Sequence, residues 1–212
     1  MIKRSVLAAT AATICLGMLI GCASSLLPKP AAQQTVYALG DSSARTLQAP
    51  AVPSTTAGLT LIVNATRAAP GYDTALIAYQ RRTHEIEYFV SSRWVEPPAQ
   101  MLAPMIARAI QHSAAFAAVV RAPTSAAGEL RLDTVLVFLR QEFIDTPSVV
   151  RLSLHAVLID STTRRVVGTR DFEVSVASAS DDAQGGVVAA NNAVHQLLPL
   201  LVAFCAEAAV RQ

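Results

Sequence analysis

Two hydrophobic periods alternate along this chain. Leu59, Leu61 and Val63 share one side of a short strand, Leu59 to Asn64. Leu76 to Tyr79 and Glu85 to Val90 flank Arg81-Arg82-Thr83-His84 as the arms of a hairpin. In the second arm Ile86, Tyr88 and Val90 alternate with Glu85 and Glu87, the period-two pattern of a half-exposed strand. After Glu96-Pro97-Pro98 the period changes. Met101, Leu102, Met105, Ile106, Ala109 and Ile110 recur at helical spacing, opposite Gln100, Arg108 and Gln111. Proline suits a first helical turn, so an amphipathic helix is predicted to start there and cover a sheet.

The second half returns to period two. Leu130 and Leu132 alternate with Glu129, Arg131 and Asp133, but between Thr134 and Leu139 the alternation lapses. Val135, Val137 and Leu139 are apolar, and so are Leu136 and Phe138 between them. A strand apolar on both faces must be covered on both. The set Val135, Val137 and Leu139 is therefore a candidate contact for lipid or for another subunit, unless a loop or the last helix buries it. Val150, Leu152, Leu154, Ala156 and Leu158 then alternate with Arg151, Ser153 and His155. Beyond the turn Asp160-Ser161-Thr162-Thr163, Phe172, Val174 and Val176 point inward. These three strands are expected to form an antiparallel meander. From about Asp182 to Arg211, Val187, Val194, Leu198, Leu201, Cys205 and Ala208 mark one helical stripe, interrupted by Pro199. The expected fold is α+β: a mainly antiparallel sheet with two amphipathic helices on one face, in a single domain.

The N-terminus obeys neither period. Lys3 and Arg4 precede an uncharged run of 16 residues from Ser5 to Ile20. That is shorter than the roughly 20 apolar residues a spanning helix needs. With small residues after it, this is the pattern of a secretory signal peptide. Leu19-Ile20-Gly21-Cys22 resembles the bacterial lipobox, which implies cleavage between Gly21 and Cys22 and a covalent lipid on the Cys22 thiol. Residues 1–21 are read as the signal, 22–34 as a lipidated tether containing Pro28 and Pro30, and 35–212 as the folded domain. Thr35 to Leu39 forms the domain's first short strand. A Pro- and Ser-containing loop from Ser42 to Gly58 follows. Ala23 stands where an aspartate commonly retains such lipoproteins, so the outer membrane is the expected address.

Cleavage changes the charge picture. Losing Lys3 and Arg4 lowers the basic count from 17 to 15, equal to the 15 acidic residues. A neutral chain with scattered charge has no electrostatic footprint for nucleic acid. Of three cysteines, Cys15 leaves with the signal and Cys22 takes the lipid, so Cys205 has no internal partner and reads as a small buried apolar residue. His84, His112, His155 and His195 are far apart and show no metal-ligand spacing. No nucleophile elbow, phosphate loop or Cys-x-x-Cys occurs. No catalytic residue, metal or separate cofactor is assigned, and the chain is read as a non-enzyme.

Three segments in order carry a family resemblance. They are Tyr37-Ala38-Leu39-Gly40, Pro70-Gly71-Tyr72-Asp73 ahead of Ile77-Ala78-Tyr79, and Tyr88-Phe89-Val90-Ser91-Ser92-Arg93-Trp94 running into Pro97-Pro98. Together they resemble the ABC-type transport auxiliary lipoproteins, the PqiC-like family. The resemblance implies an outer-membrane lipoprotein that works with an MCE-domain periplasmic protein and its ABC permease and ATPase in moving lipid. It leaves room for phospholipid contact and a homo-oligomer. A structural or assembly lipoprotein of another envelope complex is the alternative. Trp94 is expected to anchor packing between the hairpin and the first helix.

Overall fold

A computed structural model describes residues 34–40 and 58–210. The expected signal peptide, Gly21–Cys22 junction and tether up to Gln33, and the loop expected at 42–57, lie outside the described residues.

One strand organises the sheet. β7 (Leu130–Glu142) is 13 residues long, and its two edges are used differently. Along one edge lie β2 (Thr60–Val63), β3 (Arg67–Ala68) and β4 (Leu76–Gln80), all parallel to it. Leu61 pairs with Leu130, Arg67 with Val135 and Ala78 with Arg140, so residues 60–80 track β7 from end to end. Along the other edge β8 (Val149–Asp160) runs antiparallel, followed by β9 (Val166–Ala177). β5 (Glu87–Trp94) pairs antiparallel with β4. β1 (Thr35–Tyr37) pairs parallel with β5, and β6 (Ala118–Arg121) parallel with β2.

The meander of β7, β8 and β9 is as expected, and Asp160 closes its second turn by accepting from the Thr162 and Thr163 N–H groups at 2.8 and 2.7 Å. The sheet as a whole is mixed, correcting the mainly antiparallel expectation. The short strands β2, β3 and β4 are successive pieces of one path laid along β7, and the crossover through the first helix brings β6 and β7 back parallel to β2.

α1 (Pro98–His112) begins on Pro98 at its first turn and buries Met101, Leu102, Ile106, Ala109 and Ile110. α2 (Ala183–Ala209) starts on Asp182, whose carboxylate accepts from Gly185 N–H at 2.7 Å. The expected stripe of Val187, Val194, Leu198, Leu201, Cys205 and Ala208 is buried, and Pro199 lies inside the helix. By length and composition α2 could cross a membrane, but here it covers β8 and β9 as a core helix. Both helices share one core with Leu61, Leu130, Leu132, Leu136, Leu152 and Leu158, all fully buried. Each such side chain contributes about 1.5–3 kcal/mol relative to exposure. Among the described residues no helix covers the opposite face of the meander.

Candidate functional site

On β7 the inward residues are Leu130, Leu132, Thr134 and Leu136, then Leu139 and Gln141. The parity changes because pairing with β8 slips between Leu136 and Phe138, making Val137 an extra residue in a β-bulge. The bulge divides the predicted contact set. Leu139 is only 5% exposed and belongs to the helix-covered core, so it shares no outer face with the others. Val135 and Val137 are half-buried, and Val135 pairs with His155 of β8. A bulge inside an all-apolar run is invisible to periodicity, since either register keeps both faces apolar.

Beyond the bulge, the helix-free face carries charge. Phe138 lies under the guanidinium groups of Arg140 and Arg151, at 4.5 and 5.6 Å from the ring centroid. Glu142 Oε1 joins those two arginines, accepting from Arg140 Nε at 2.8 Å, Arg140 Nη2 at 2.7 Å and Arg151 Nη1 at 3.4 Å. Arg151 also pairs with Glu173 of β9. Burial works against the Arg140 charge, yet the Tyr72 and Glu142 contacts outweigh it and raise its pKa above the ordinary arginine value. The Glu173 hydrogen bond, against a smaller burial effect, raises that of Arg151. Farther along, His155 Nδ1 lies 2.6 Å from Asp171 Oδ1.

The arginine network forms one wall of a cavity of about 350 Å³. Tyr72, from the turn after β3, places its hydroxyl 3.4 Å from Arg140 Nη1. Gln80, at the end of β4, is 5% exposed, and its side-chain amide has no partner among the described residues. His84 adds a third side, from a hairpin loop where its backbone is left-handed at φ 67°. Ile86 and Ile144 border the cavity while 38% and 51% exposed. None of these was singled out as a site residue from the sequence. They come from separate segments, and the only local signal was the Arg140-x-Glu142 pair on one strand face.

A second depression, about 490 Å³, lies by Asn64, Arg67, Pro123 and Asp133. Its polar groups largely satisfy one another: Asn64 Nδ2 donates to Asp133 Oδ1 at 2.5 Å, and Arg131 Nε is 3.6 Å from the same atom. Among the described residues no group of three His, Cys, Asp or Glu side chains is placed to hold a metal ion.

Other sequence expectations resolve locally. The hairpin forms, but Val90 is 84% exposed, because the β4–β5 pairing slips between Leu76 and Ala78 and turns that stretch of β5 outward. Phe89 packs instead, its ring 4.6 Å from Tyr79 and 6.4 Å from Phe143. Trp94 is buried as a packing residue. It shares a narrow void with Ile77, Leu139 and the α2 residues Gly186 and Ala190. Cys205 is fully buried, and desolvation pushes its thiol pKa up to about 12.

A family model described as "ABC-type transport auxiliary lipoprotein component" matches residues 37–199, well over half of the 212-residue chain. Among solved structures, a Xanthomonas campestris protein carrying the family designation DUF330 is 25% identical, with TM-score 0.73, covering 82% of this chain and 95% of its own. An uncharacterized protein is 13% identical with TM-score 0.60, covering 82% and 97%. The hypothetical protein CT253 from Chlamydia trachomatis is 9% identical with TM-score 0.52, covering 72% and 98%. The last two likenesses speak to the fold alone. No curated protein matches the chain.

Proposed function

Because the chain belongs to the family of ABC-type transport auxiliary lipoprotein components, we propose that it serves an envelope ABC system from the outer membrane. In this reading the acylated Cys22 anchors it and the domain faces the periplasm. Its partner is an MCE-domain protein with a permease and an ATPase, and the cargo is phospholipid. The family match is the observation that carries the reading.

Two features support it. The basic start, short apolar run and Leu19-Ile20-Gly21-Cys22 junction suit export and acylation. The helix-free face, with half-buried Val135 and Val137 beside the charged network of Arg140, Glu142 and Arg151, offers a partner an apolar centre within a polar surround.

Co-purification tests this directly. The full-length lipidated chain, extracted in mild detergent, is expected to bring down an MCE-domain protein. Val135→Asp is expected to reduce that recovery without lowering thermal stability appreciably. Recovery of a different envelope complex, with no MCE-domain protein, would favour an assembly role instead.

A further inference from the structure

We propose that the cavity between the β4–β5 hairpin and the Arg140–Arg151 wall is an oxyanion site for a singly charged phosphodiester. The lipid source named below rests on the transport reading, whereas the site rests on geometry alone. Charge comes first. Arg140 and Arg151 line the cavity with a single carboxylate, Glu142, while Glu173 pairs with Arg151 from outside the lining. The four charges balance, but both guanidinium groups border the cavity. A singly charged phosphodiester meets two guanidinium groups there and one carboxylate, where a dianion would have no unmatched charge to meet.

Donors come second. The Nη1 atoms of the two arginines make the longest contacts in the network, both 3.4 Å, to Tyr72 Oη and to Glu142 Oε1. With each planar fork held by its shorter bonds, a ligand would take the Nη1 hydrogens in place of these two long contacts. Gln80, 5% exposed, adds a side-chain amide that lines the cavity with no partner among the described residues, leaving its N–H donors open to a ligand.

Size and rim decide the source. About 350 Å³ falls within the range of small-molecule sites and exceeds what inorganic phosphate fills. Ile86 and Ile144 remain partly exposed at its border, suiting a phosphate joined to hydrocarbon, as in a phospholipid headgroup. The other depression lacks this combination, because its Asn64 and Asp133 already bond each other.

The test uses the full-length chain in a neutral maltoside detergent, titrated calorimetrically with dihexanoyl phosphatidylglycerol, with dihexanoylglycerol and with inorganic phosphate. Saturable binding of the phosphatidylglycerol is expected, with no binding of the uncharged diacylglycerol. Gln80→Leu and the charge-balanced pair R140Q/E142Q should each weaken it at least about tenfold, while Arg67→Gln in the other depression leaves it unchanged. Circular dichroism and melting curves keep the comparison to folded variants. Inorganic phosphate binding equally well would uphold the oxyanion site and overturn the headgroup assignment. Absence of saturable binding by either anion, or binding undiminished in both cavity variants, would overturn the site. The measurement needs no partner protein, so its failure is distinct from failure of the co-purification.

Discussion

Oε1 of Gln141 sits so close to the α-carbon of Gly186 that a methyl group there would overlap it. This contact seats the first turn of α2 on β7. Gln141 is 2% exposed, and its Nε2 donates to Ser148 Oγ at 2.9 Å and Ser178 Oγ at 3.4 Å, which fixes the amide in place. Gly→Ala inside a helix ordinarily stabilises by about 1 kcal/mol. At Gly186 the sign should reverse, with a net loss of about 1–3 kcal/mol from overpacking. Denaturant melts of Gly186→Ala check this, with Gly58→Ala as the control, since a Cβ at Gly58 meets nothing within 4 Å. Shortening the partner in a Gln141→Ser/Gly186→Ala pair should recover part of the loss, as expected for residues in contact.

Cys205 should make stability fall in alkali. Its folded pKa of about 12 exceeds the ordinary thiol value of 9.0 because burial disfavours the thiolate. Below pH 9 both folded and unfolded thiols are protonated, so the stabilisation is fully present. Between 9 and 12 only the unfolded thiol ionises, and folding loses up to about 1.4 kcal/mol per pH unit from this group. Cys205→Ala should flatten that part of the stability–pH curve. In the native protein at pH 8 the thiol should resist iodoacetamide, with labelling following global unfolding.

The elements that could be read from the chain are those whose local pattern coincides with their burial. β8 alternates cleanly, and Val150, Leu152, Leu154, Ala156 and Leu158 are all buried. The stripes of α1 and α2 were legible for the same reason, since each faces a single core. Parallel docking of β2, β3 and β4 on β7 was not legible, because pairs such as Leu61 with Leu130 join distant segments with no turn to set register. The bulge at Val137 was masked by its apolar neighbours. The cavity was hidden more deeply still: Tyr72, Gln80, Arg140 and Arg151 come from four segments and meet only once the sheet has formed.

That bulge predicts opposite behaviour for two residues that look alike in the chain. Leu139 lies in the helix-covered core, so Leu139→Ala should cost about 2–5 kcal/mol through lost burial and the cavity left behind. Val135 is half-buried on the helix-free face, and Val135→Ala should cost less than about 1 kcal/mol. Chemical denaturation of both variants checks the separation. Similar losses at the two positions would mean that Val135 is core as well.

The remaining prediction concerns the proposed anchor at Cys22, which lies outside the described residues. If Cys22 is acylated as proposed, its thioether-linked diacylglycerol would bury two chains, each methylene contributing about 0.8 kcal/mol, whereas a single chain holds a protein only marginally. On that reading Cys22→Ser would remove both chains and the processing that depends on the thiol. Metabolic palmitate labelling should vanish, and the uncleaved form should run larger on a gel. The address can be tested separately by Ala23→Asp, which keeps the lipid but introduces the residue that commonly retains such lipoproteins. If Ala23 directs outward transfer, that variant should still take up palmitate yet sediment with the inner membrane on a sucrose gradient. Unchanged sedimentation would place the sorting signal elsewhere in the tether.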